Sequence, residues 1–453
     1  MTRWGIRPSA QSTKTQPFLA RFGRVPALMS CAVLILAFSV SGCDDTGSSS
    51  KSQDALLDAD SSLGDTGELE DTGDVLTPDT VEDDDEVDDA IDSDAISPEL
   101  DADDADATEL EPDELSCVDP CPAPHGGLEW GCERRFMYGI NYAWHHFAGD
   151  FGGIAPWGQR GVAENAETHA NNLAEMRSHG VSVVRWWVWP DFRGDGVRFD
   201  GEELPVGLGE TTLADLERAL ELAEENDVYL MLCLFSFDNF RPSREVAGIW
   251  TPGIAPMVMD AARREALLEN VVRPFARAAQ ASPYHERLIA WDVINEPEWA
   301  MSGASLYGDP GFDAMTELEP VSHAEMERFL ADTITVLREE SDALITVGGA
   351  AAKWAKAWTG LDLDFYQFHM YAWINIWWPY TDPPSTYGLD RPIVMGEFPL
   401  GALTSGASYG KVVSTWYDNG YAGALGWMYG EASADELDEV ASFAAEHPCE
   451  TRF

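Results

Sequence analysis

Residues 288–297 have the sequence LIAWDVINEP, and residues 392–399 have the sequence PIVMGEFP. Each is an apolar run with proline at or near its boundaries, which is the pattern of a short buried strand. Each run also ends in a glutamate, Glu296 in the first and Glu397 in the second. Two buried strands that both end in a carboxyl group are typical of a parallel sheet whose polar groups gather at one edge.

From about residue 136 onward, short apolar runs alternate with amphipathic helical segments, which favours βαβ units. The predicted strands are 136–142, 181–188, 228–235, 288–294, 343–347, 365–370, 392–395 and 422–427. The predicted helices are 163–178, 213–226, 260–281, 323–341 and 435–446. This order predicts an α/β fold, a (β/α)8 TIM barrel. A doubly wound open sheet is the alternative, but the first strand leads into NYAWHH at 141–146 rather than into a glycine-rich turn.

The charge of the chain is strongly negative and uneven. The 453 residues carry a formal net charge of -52, and residues 44–116 alone hold 29 acidic residues against a single lysine. Such a field repels nucleic acid and anionic lipid head groups, so we expect neutral or cationic ligands and no nucleic-acid partner.

The N-terminus has the pattern of a targeting sequence. Basic residues up to Arg24 precede an apolar run that ends in VSGC at 40–43. This resembles a bacterial lipoprotein lipobox, which implies a signal peptide at 1–42 and a lipid anchor on Cys43. A plain membrane anchor or an ordinary signal peptide is the alternative, although the run is shorter than the roughly 20 residues that span a bilayer. We expect an exported protein, lipid-anchored at the outer membrane or cell surface of a bacterial envelope, or secreted.

Residues 43–116 form an acidic, low-complexity segment in which the tripeptide DTG recurs at 45–47, 65–67 and 71–73. Such a segment cannot bury enough apolar surface to offset its ordering entropy, so it is predicted to be a disordered linker. The spacing of acidic residues and glycine in a calcium-binding EF-hand loop is absent. The remaining residues, 117–453, are predicted to form the barrel domain.

Four cysteines flank the predicted barrel: Cys117, Cys121 and Cys132 before it and Cys449 at its end. In an exported protein these four suggest two disulfides with three possible pairings. Because a barrel brings its two ends together, we expect a bond between Cys449 and one of the other three. No histidine cluster accompanies the cysteines, so no zinc site or other metal site is predicted.

In a TIM barrel the functional groups lie where the strands end, at the carboxyl-terminal face. The polar and aromatic residues at those positions are Asn141, Asn295, Glu296, His369, Tyr371, Glu397 and Trp427, and Arg185 lies within the second strand. A glutamate at a strand end is usually a surface group, so each one alone is a weak signal. Their convergence on one predicted rim makes them the candidate site.

In strand order, these residues resemble the retaining glycosidases built on (β/α)8 barrels, and among them glycoside hydrolase family 5, which includes cellulases and β-mannanases. The resemblance covers about residues 136–430. It implies that Glu296, in Asn-Glu-Pro, is the acid/base and that Glu397 is the nucleophile. The family's strand-2 arginine matches Arg185, its His-x-Tyr matches residues 369–371, and its strand-8 tryptophan matches Trp427. The family's frequent histidine near the end of strand 3 is missing, since residues 236–239 have the sequence SFDN.

The chemistry of retention assigns a role to each group. The two carboxyl groups must lie about 5–5.5 Å apart, one attacking the anomeric carbon and the other protonating the leaving oxygen. Glu397 must be ionised, and we expect Arg185 and the Tyr371 hydroxyl to hold it. Glu296 must start protonated. Asn295 is expected to bind the sugar 2-hydroxyl.

His369 is expected to support the acid/base or a substrate hydroxyl. The 17 tryptophans are a second line of evidence for a sugar ligand, because aromatic faces stack on the C–H faces of pyranose rings. Three of them, Trp291, Trp354 and Trp416, are expected in the core. Seven fall at or beyond predicted strand ends, and at least three of these should line a cleft: Trp144, Trp189, Trp299, Trp373, Trp377, Trp378 and Trp427. Trp299 and Trp427 are the strongest candidates.

The sequence therefore predicts a monomeric hydrolase that cleaves a neutral β-linked polysaccharide or oligosaccharide, of mannan or glucan type, without a metal or an organic cofactor. One alternative is a non-catalytic glycan-binding lipoprotein on a degenerate barrel. Another is an envelope transglycosylase, which would use the same residues.

Overall fold

The computed structural model describes residues 121, 124–130, 133–403 and 405–453. The predicted signal peptide at 1–42, the lipidation site Cys43, the acidic linker at 43–116, and Cys117 and Cys132 lie outside the described residues. Within the described ranges, no helix is both long and apolar enough to cross a membrane.

Eight parallel strands form a closed barrel, which confirms the predicted (β/α)8 fold. The strands are β1 Met137–Asn141, β2 Val183–Trp187, β3 Tyr229–Ser236, β4 Leu288–Asn295, β5 Leu344–Gly349, β6 Tyr366–His369, β7 Ile393–Glu397 and β8 Gly423–Gly426. Each strand pairs with its neighbour in the sequence, and β8 pairs with β1 to close the barrel.

The strands are mainly apolar because both of their faces are covered. Every residue of β1, β2, β4 and β7 is buried. One face of each strand packs inside the barrel and the other packs against the helices, so the alternation of a half-exposed sheet is absent. Polar residues in these strands are therefore buried groups that need partners.

The helices are α1 Ala166–Ser178, α2 Thr212–Glu225, α3 Ala255–Met259, α4 Ala261–Leu267, α5 Arg273–Ala281, α6 His323–Glu340, α7 Ala372–Asn375, α8 Tyr409–Asn419 and α9 Ala434–Glu446. Several start positions follow directly from local sequence. Ser322 and Glu325 form a reciprocal capping box at the start of α6, and Ser433 and Glu436 form another at the start of α9.

The helix predicted over 260–281 is present from residue 261 to residue 281, with one irregular turn inside it. The segment consists of α4, a π-helical turn at Leu268–Val272, and α5. Pro274 lies in the first turn of α5. Because proline has no backbone N–H and its ring collides with the preceding turn, the regular hydrogen-bond ladder cannot pass through it.

The two ends of the barrel domain meet at the face opposite the strand carboxyl ends. A disulfide joins Cys121 to Cys449, so the expected bond from Cys449 to an N-terminal cysteine is present. The Phe136 amide, just before β1, donates to the Glu450 carbonyl at 2.8 Å. Both contacts lie at the amino-terminal end of β1.

The tryptophans divide between the core and the rim. Trp291, Trp354 and Trp416 are buried, as expected. Trp189 is buried as well and packs against Phe275 at a ring distance of 4.8 Å. Of the seven tryptophans at or beyond predicted strand ends, Trp189 is therefore a core residue.

Candidate active site

Glu397 is the last residue of β7, and both of its carboxyl oxygens are engaged. Arg185 Nη1 donates to Oε1 at 2.7 Å, and the Tyr371 hydroxyl donates to Oε2 at 2.9 Å. These are the two contacts that the sequence predicted for this carboxylate. They fix its orientation and leave it little freedom to rotate.

Arg185 is fully buried in β2 and links four strands. Its Nη1 also donates to Asn141 Oδ1 on β1, and its Nη2 donates to Asn295 Oδ1 on β4, each at 2.8 Å. Its Nε donates to Asp292 Oδ2, also at 2.8 Å. The planar guanidinium can bond four acceptors only if all of them lie near its plane. Arg185 therefore sets the positions of the groups around Glu397.

Asn295 and Asn141 are both buried beside this guanidinium. The Asn141 amide nitrogen donates to the Gly396 carbonyl at 2.9 Å, which ties β1 to β7. In Asn295 the side-chain oxygen is occupied by Arg185, so its amide nitrogen is the group left to bind a ligand.

Asp292, which was not predicted from the sequence, completes this network. Besides Arg185, it accepts from the Gly348 amide at 2.8 Å and from Gln367 Nε2 at 3.0 Å. Gln367 in turn needs the glycine at 396, because a Cβ there would lie 1.9 Å from its Oε1. One signal was available: a carboxyl group inside an otherwise apolar strand must have a buried partner.

Glu296 lies directly after β4, at a sharp change in chain direction. Its backbone adopts the left-handed conformation, with φ 49° and ψ 49°, which is uncommon for a non-glycine residue. Its amide is held by the Gly348 carbonyl at 2.6 Å. Oε1 lies 2.7 Å from His369 Nδ1, and Oε2 accepts from Trp299 Nε1 at 2.8 Å. The side chain is thus fixed on both oxygens.

The two glutamates are close together. One carboxyl oxygen of Glu296, one of Glu397 and a ring nitrogen of His369 all lie within 4.8 Å of one another. Retaining glycosidases place their carboxyl groups about 5–5.5 Å apart, whereas inverting enzymes leave about 6.5–9.5 Å for a water molecule. The separation fits retention.

Glu296, His369 and Glu397 could also hold a metal ion by geometry, and they are the one such group among the described residues. Their donor atoms are already committed, however. Both Glu397 oxygens accept hydrogen bonds, and the Arg185 cation lies 2.7 Å from one of them. A second cation at this position would be repelled, so the arrangement fits an acid/base pair better than a metal site.

Burial shifts the pKa values of Glu296, His369 and Glu397. Desolvation raises the pKa of Glu296 to about 7, although the Trp299 hydrogen bond and the Arg185 charge act in the opposite direction. Desolvation lowers the pKa of His369 to about 4, so the ring is neutral near pH 7. Burial also raises the pKa of Glu397, but His369, Arg185 and the Tyr371 hydrogen bond oppose that shift. Because Glu397 has the direct ion pair, it is the carboxylate, and Glu296 holds the proton near neutral pH.

Two groups of aromatic rings lie at the carboxyl-terminal face of the barrel. Trp427, just after β8, lies 6.0 Å from the Trp144 ring and 5.6 Å from the Trp187 ring. The Trp427–Met428 peptide bond is cis. In the second group, the Trp299 ring lies 5.8 Å from the Trp373 ring. Trp187 was not singled out in the sequence, because it lies within β2 rather than beyond its end.

Glu298 is a second functional candidate that sequence reasoning missed. It is 1% exposed, and it accepts from Trp358 Nε1 at 2.8 Å and from the Ala350 amide at 3.0 Å. Burial raises its pKa to about 7. These bonds tie the turn that carries Glu296 to the segment after β5. Its position two residues after Glu296 gave no signal of burial.

Comparison with known proteins agrees with this picture. No family model matches the chain. Over 337 residues it is 24% identical to a mannan endo-1,4-beta-mannosidase of Mytilus edulis, with 68% of this chain and 87% of the relative covered. It is also 24% identical over 337 residues to a protein of the same name from Cryptopygus antarcticus, with 66% and 82% covered.

Solved structures show the same fold. The beta-mannanase of the blue mussel Mytilus edulis superposes with a TM-score of 0.58 at 22% identity, over 73% of this chain and 98% of that one. The beta-1,4-mannanase of the sea hare Aplysia kurodai gives a TM-score of 0.60 at 20% identity, over 72% and 97%. The closed barrel, the paired glutamates at its carboxyl end and these relatives together identify the chain as a glycoside hydrolase, as the sequence predicted.

Proposed function

We propose that this protein is an endo-acting, retaining β-1,4-mannanase of glycoside hydrolase family 5. The observation that carries the retaining mechanism is the pair of Glu296 and Glu397 oxygens within 4.8 Å. The choice of mannan rests on the two relatives named as mannan endo-1,4-beta-mannosidases, of which 87% and 82% are covered by the alignment.

In the first step Glu397 attacks the anomeric carbon and forms a bond to it. The glycosidic C–O bond breaks, and Glu296 transfers its proton to the leaving oxygen. Arg185 and Tyr371 hold the Glu397 carboxylate in place for attack through their bonds of 2.7 and 2.9 Å. This step produces a glycosyl-enzyme and releases the part of the polysaccharide on the reducing side of the cleaved bond.

In the second step Glu296, now ionised, takes a proton from a water molecule that attacks the anomeric carbon. The bond to Glu397 breaks, and its carboxylate returns to Arg185. His369 is placed to stabilise the ionised Glu296, since its Nδ1 lies 2.7 Å from Oε1. Asn295 is placed to donate to the sugar 2-hydroxyl, a contact that strengthens as positive charge develops on the ring.

The test is hydrolysis by the purified protein of β-mannan, glucomannan, xylan and carboxymethylcellulose. We expect cleavage of the mannans to internal fragments, with the β-anomer formed first in proton NMR. Inactivity on all four substrates would overturn the proposal, and release of the α-anomer first would overturn retention. Product analysis at high substrate concentration separates hydrolysis from transglycosylation.

Two variants test the site itself. Glu397→Ala should lose activity on every substrate, and full activity in that variant would remove Glu397 from the mechanism. Calorimetric titration of Glu296→Ala with manno-oligosaccharides separates binding from turnover. Binding by an unmutated protein that cleaves nothing would favour a non-catalytic glycan-binding function.

We also propose that the protein is exported and lipid-anchored through Cys43. The support is the basic and then apolar N-terminus, which ends in VSGC. In a bacterial host, Cys43→Ser should move the protein from the membrane fraction to the soluble fraction. Retention of the variant in the membrane fraction would contradict a lipid anchor at this position.

A further inference from the structure

Three arginines gather where the chain leaves β2 and β3: Arg193, Arg241 and Arg244. Asp191 Oδ2 accepts from Arg193 Nη2 at 2.7 Å and from Arg244 Nη2 at 3.0 Å. Asp238 Oδ1 accepts from Arg241 Nε at 2.9 Å. Three guanidinium groups therefore face two carboxylates. This arginine cluster carries an excess positive charge in a chain whose net charge is -52.

Several donors of the arginine cluster have no acceptor in the protein. Among the described residues, the Arg241 side chain donates only from Nε and the Arg244 side chain only from Nη2. A guanidinium has five N–H donors, so most of those on these two residues are left for a ligand or for water. The side chains of Arg193, Arg241 and Arg244 are 22%, 27% and 26% exposed. They are thus partly buried but can be reached from solvent.

The arginine cluster borders the turn that carries the acid/base. Asp238 lies in the turn Phe237–Phe240 directly after β3, and Arg241 follows this turn. The same turn contacts the turn Pro297–Ala300, which begins directly after Glu296. Burial raises the pKa of Glu296, and the charge of Asp238 adds to that shift. The cluster therefore lies beside the catalytic pair, at the carboxyl-terminal face of the barrel.

The arginine cluster also contacts the loop after β1. The Arg193 guanidinium carbon lies 4.6 Å from the centre of the Phe147 ring. The Phe147 ring lies 4.9 Å from the Trp144 ring, which in turn lies 6.0 Å from the Trp427 ring. A series of contacts thus joins the cluster to the aromatic group at the end of β8.

The local charge, and not the charge of the whole chain, decides which ligand these arginines attract. At physiological ionic strength, charges more than about 8 Å away are largely screened. A guanidinium binds a carboxylate through two parallel N–H bonds, which gives both energy and orientation. The expectation of neutral ligands, which rests on the overall net charge, therefore does not hold for this part of the rim.

We propose that Arg193, Arg241 and Arg244 bind the carboxylate of an acidic sugar unit carried by the polysaccharide, close to the cleaved bond. This inference rests on the proposed function and refines its substrate to a mannan that bears uronic acid units. A sugar hydroxyl can also accept from a guanidinium, but only a carboxylate gains from the excess charge. An ion network that merely joins the loops after β2 and β3 would give no preference for a charged substrate.

The experiment uses two samples of one galactomannan. In the first, part of the primary hydroxyl groups has been oxidised to carboxylates. The second is the same material after those carboxylates have been reduced back to hydroxyls. The ratio of kcat/KM on the carboxylated sample to kcat/KM on the reduced sample is measured at low and at high salt.

Arg244→Gln is the main variant, because Asp191 keeps its bonds from Arg193 in it. Arg241→Gln is the second variant. Arg198→Gln is the control, since Arg198 is exposed and its side chain donates to the Leu208 carbonyl at 2.8 Å. Glutamine keeps hydrogen-bonding capacity and removes the charge in all three.

We expect the unmutated protein to prefer the carboxylated sample about three- to tenfold, as one partly exposed charge-assisted contact predicts. The ratio should fall towards one at high salt and in both cluster variants, and it should stay at the unmutated value in Arg198→Gln. A ratio of one in the unmutated protein, a ratio preserved in both cluster variants, or an equal fall in Arg198→Gln would each overturn the proposal. Inactivity of the unmutated protein on both samples would instead be a failure of the proposed function.

Discussion

Arg185 Nη1 lies 2.7 Å from Glu397 Oε1, and the two side chains are 0% and 5% exposed. The same guanidinium lies 2.8 Å from the fully buried Asp292. One buried cation thus holds two buried carboxylates, one structural and one catalytic in our proposal. Because removing one partner of a buried ion pair leaves an uncompensated charge, this network makes stability and activity depend on the same residue.

Arg185→Met should lower both stability and turnover. The change leaves Asp292 and Glu397 without their cation, and breaking a buried pair in this way costs about 3–5 kcal/mol. We expect a lower free energy of unfolding in urea and a kcat reduced by at least about a hundredfold, since the nucleophile loses its positioning contact. Unfolding curves and steady-state kinetics measure the two effects.

Arg273→Met is the matched control for this variant. Arg273 also contacts three carboxylates, those of Glu269, Glu339 and Glu340, but its site is on the surface and the first two are about half exposed. Exposed ion pairs contribute about 0–1 kcal/mol. A loss of stability in Arg273→Met as large as that in Arg185→Met would show that burial of the ion pairs is not what makes the loss of Arg185 costly.

The activity should fall on the alkaline side with an apparent pKa of about 7. Glu296 must be protonated in the free enzyme, and its pKa is raised to about 7 by burial. Above that pH, kcat/KM should drop about tenfold per unit, because the protonated fraction does. The pH profile of kcat/KM on mannan measures this decrease, which is the alkaline limb of the profile.

Trp299→Phe tests the assignment of this alkaline limb and should move it to higher pH. The Trp299 N–H stabilises the ionised form of Glu296 and so lowers its pKa. Without that donor the pKa of Glu296 rises, and the acid stays protonated further into the alkaline range. Trp354→Phe is the control, since its ring contacts Trp299 at 5.5 Å without touching Glu296 by a hydrogen bond. A limb that moves to lower pH in Trp299→Phe would contradict this assignment.

Glu296→Ala and Glu397→Ala should respond differently to the leaving group. Loss of a general acid should lower kcat/KM, which reports the first step, roughly 10²–10⁴-fold on a polysaccharide, but little on an aryl glycoside whose leaving group needs no proton. Loss of the nucleophile should abolish both reactions, because no glycosyl-enzyme forms. Equal losses on both substrates in Glu296→Ala would remove it as the acid.

The strand-end residues of the site could be predicted because a parallel barrel gathers all strand carboxyl ends at one face. Reading which residue lies at or just beyond the end of each apolar run was sufficient to find Glu296, His369 and Glu397, whereas Arg185 lies within β2. Their mutual contacts follow from the closure of the barrel, which local sequence pattern does not contain. The separation of the two glutamates therefore needed the structure.

The parts that could not be predicted depend on packing between distant segments. Glu298 resembles any surface glutamate in the sequence, and its burial results from the segment after β5 that covers it. Trp189 follows the apolar β2, and only the position of Phe275 on α5 decides that it enters the core. The π-helical turn before Pro274 was not predicted, because helical periodicity continues on both sides of it.

Glu298→Gln should flatten the pH dependence of stability. Burial raises the pKa of Glu298 from the ordinary glutamate value of 4.5 to about 7, so the folded state binds an extra proton between these values. Stability attributable to this group is then present at low pH and falls as pH rises, by up to about 3 kcal/mol in total. Urea unfolding at pH 5, 6 and 7 measures the slope.

Glu269→Gln is the control for that slope, since the Glu269 side chain is 48% exposed. In Glu269→Gln the free energy of unfolding should decrease between pH 5 and 7 as steeply as in the unmutated protein. If Glu298→Gln also leaves the slope unchanged, the buried carboxyl of Glu298 does not titrate in this range.

Replacement of Cys121 and Cys449 together by serine should lower stability without changing kcat. The disulfide joins residues 328 positions apart, so it removes much of the freedom of the unfolded chain. Loss of a native disulfide typically costs about 2–5 kcal/mol. Because Cys449 lies next to Glu450, which bonds to Phe136 ahead of β1, the bond is at the barrel face opposite the glutamate pair. Urea midpoints should therefore fall while kcat on mannan stays constant. A fall in kcat at temperatures well below unfolding would show that the disulfide also affects the geometry of the site.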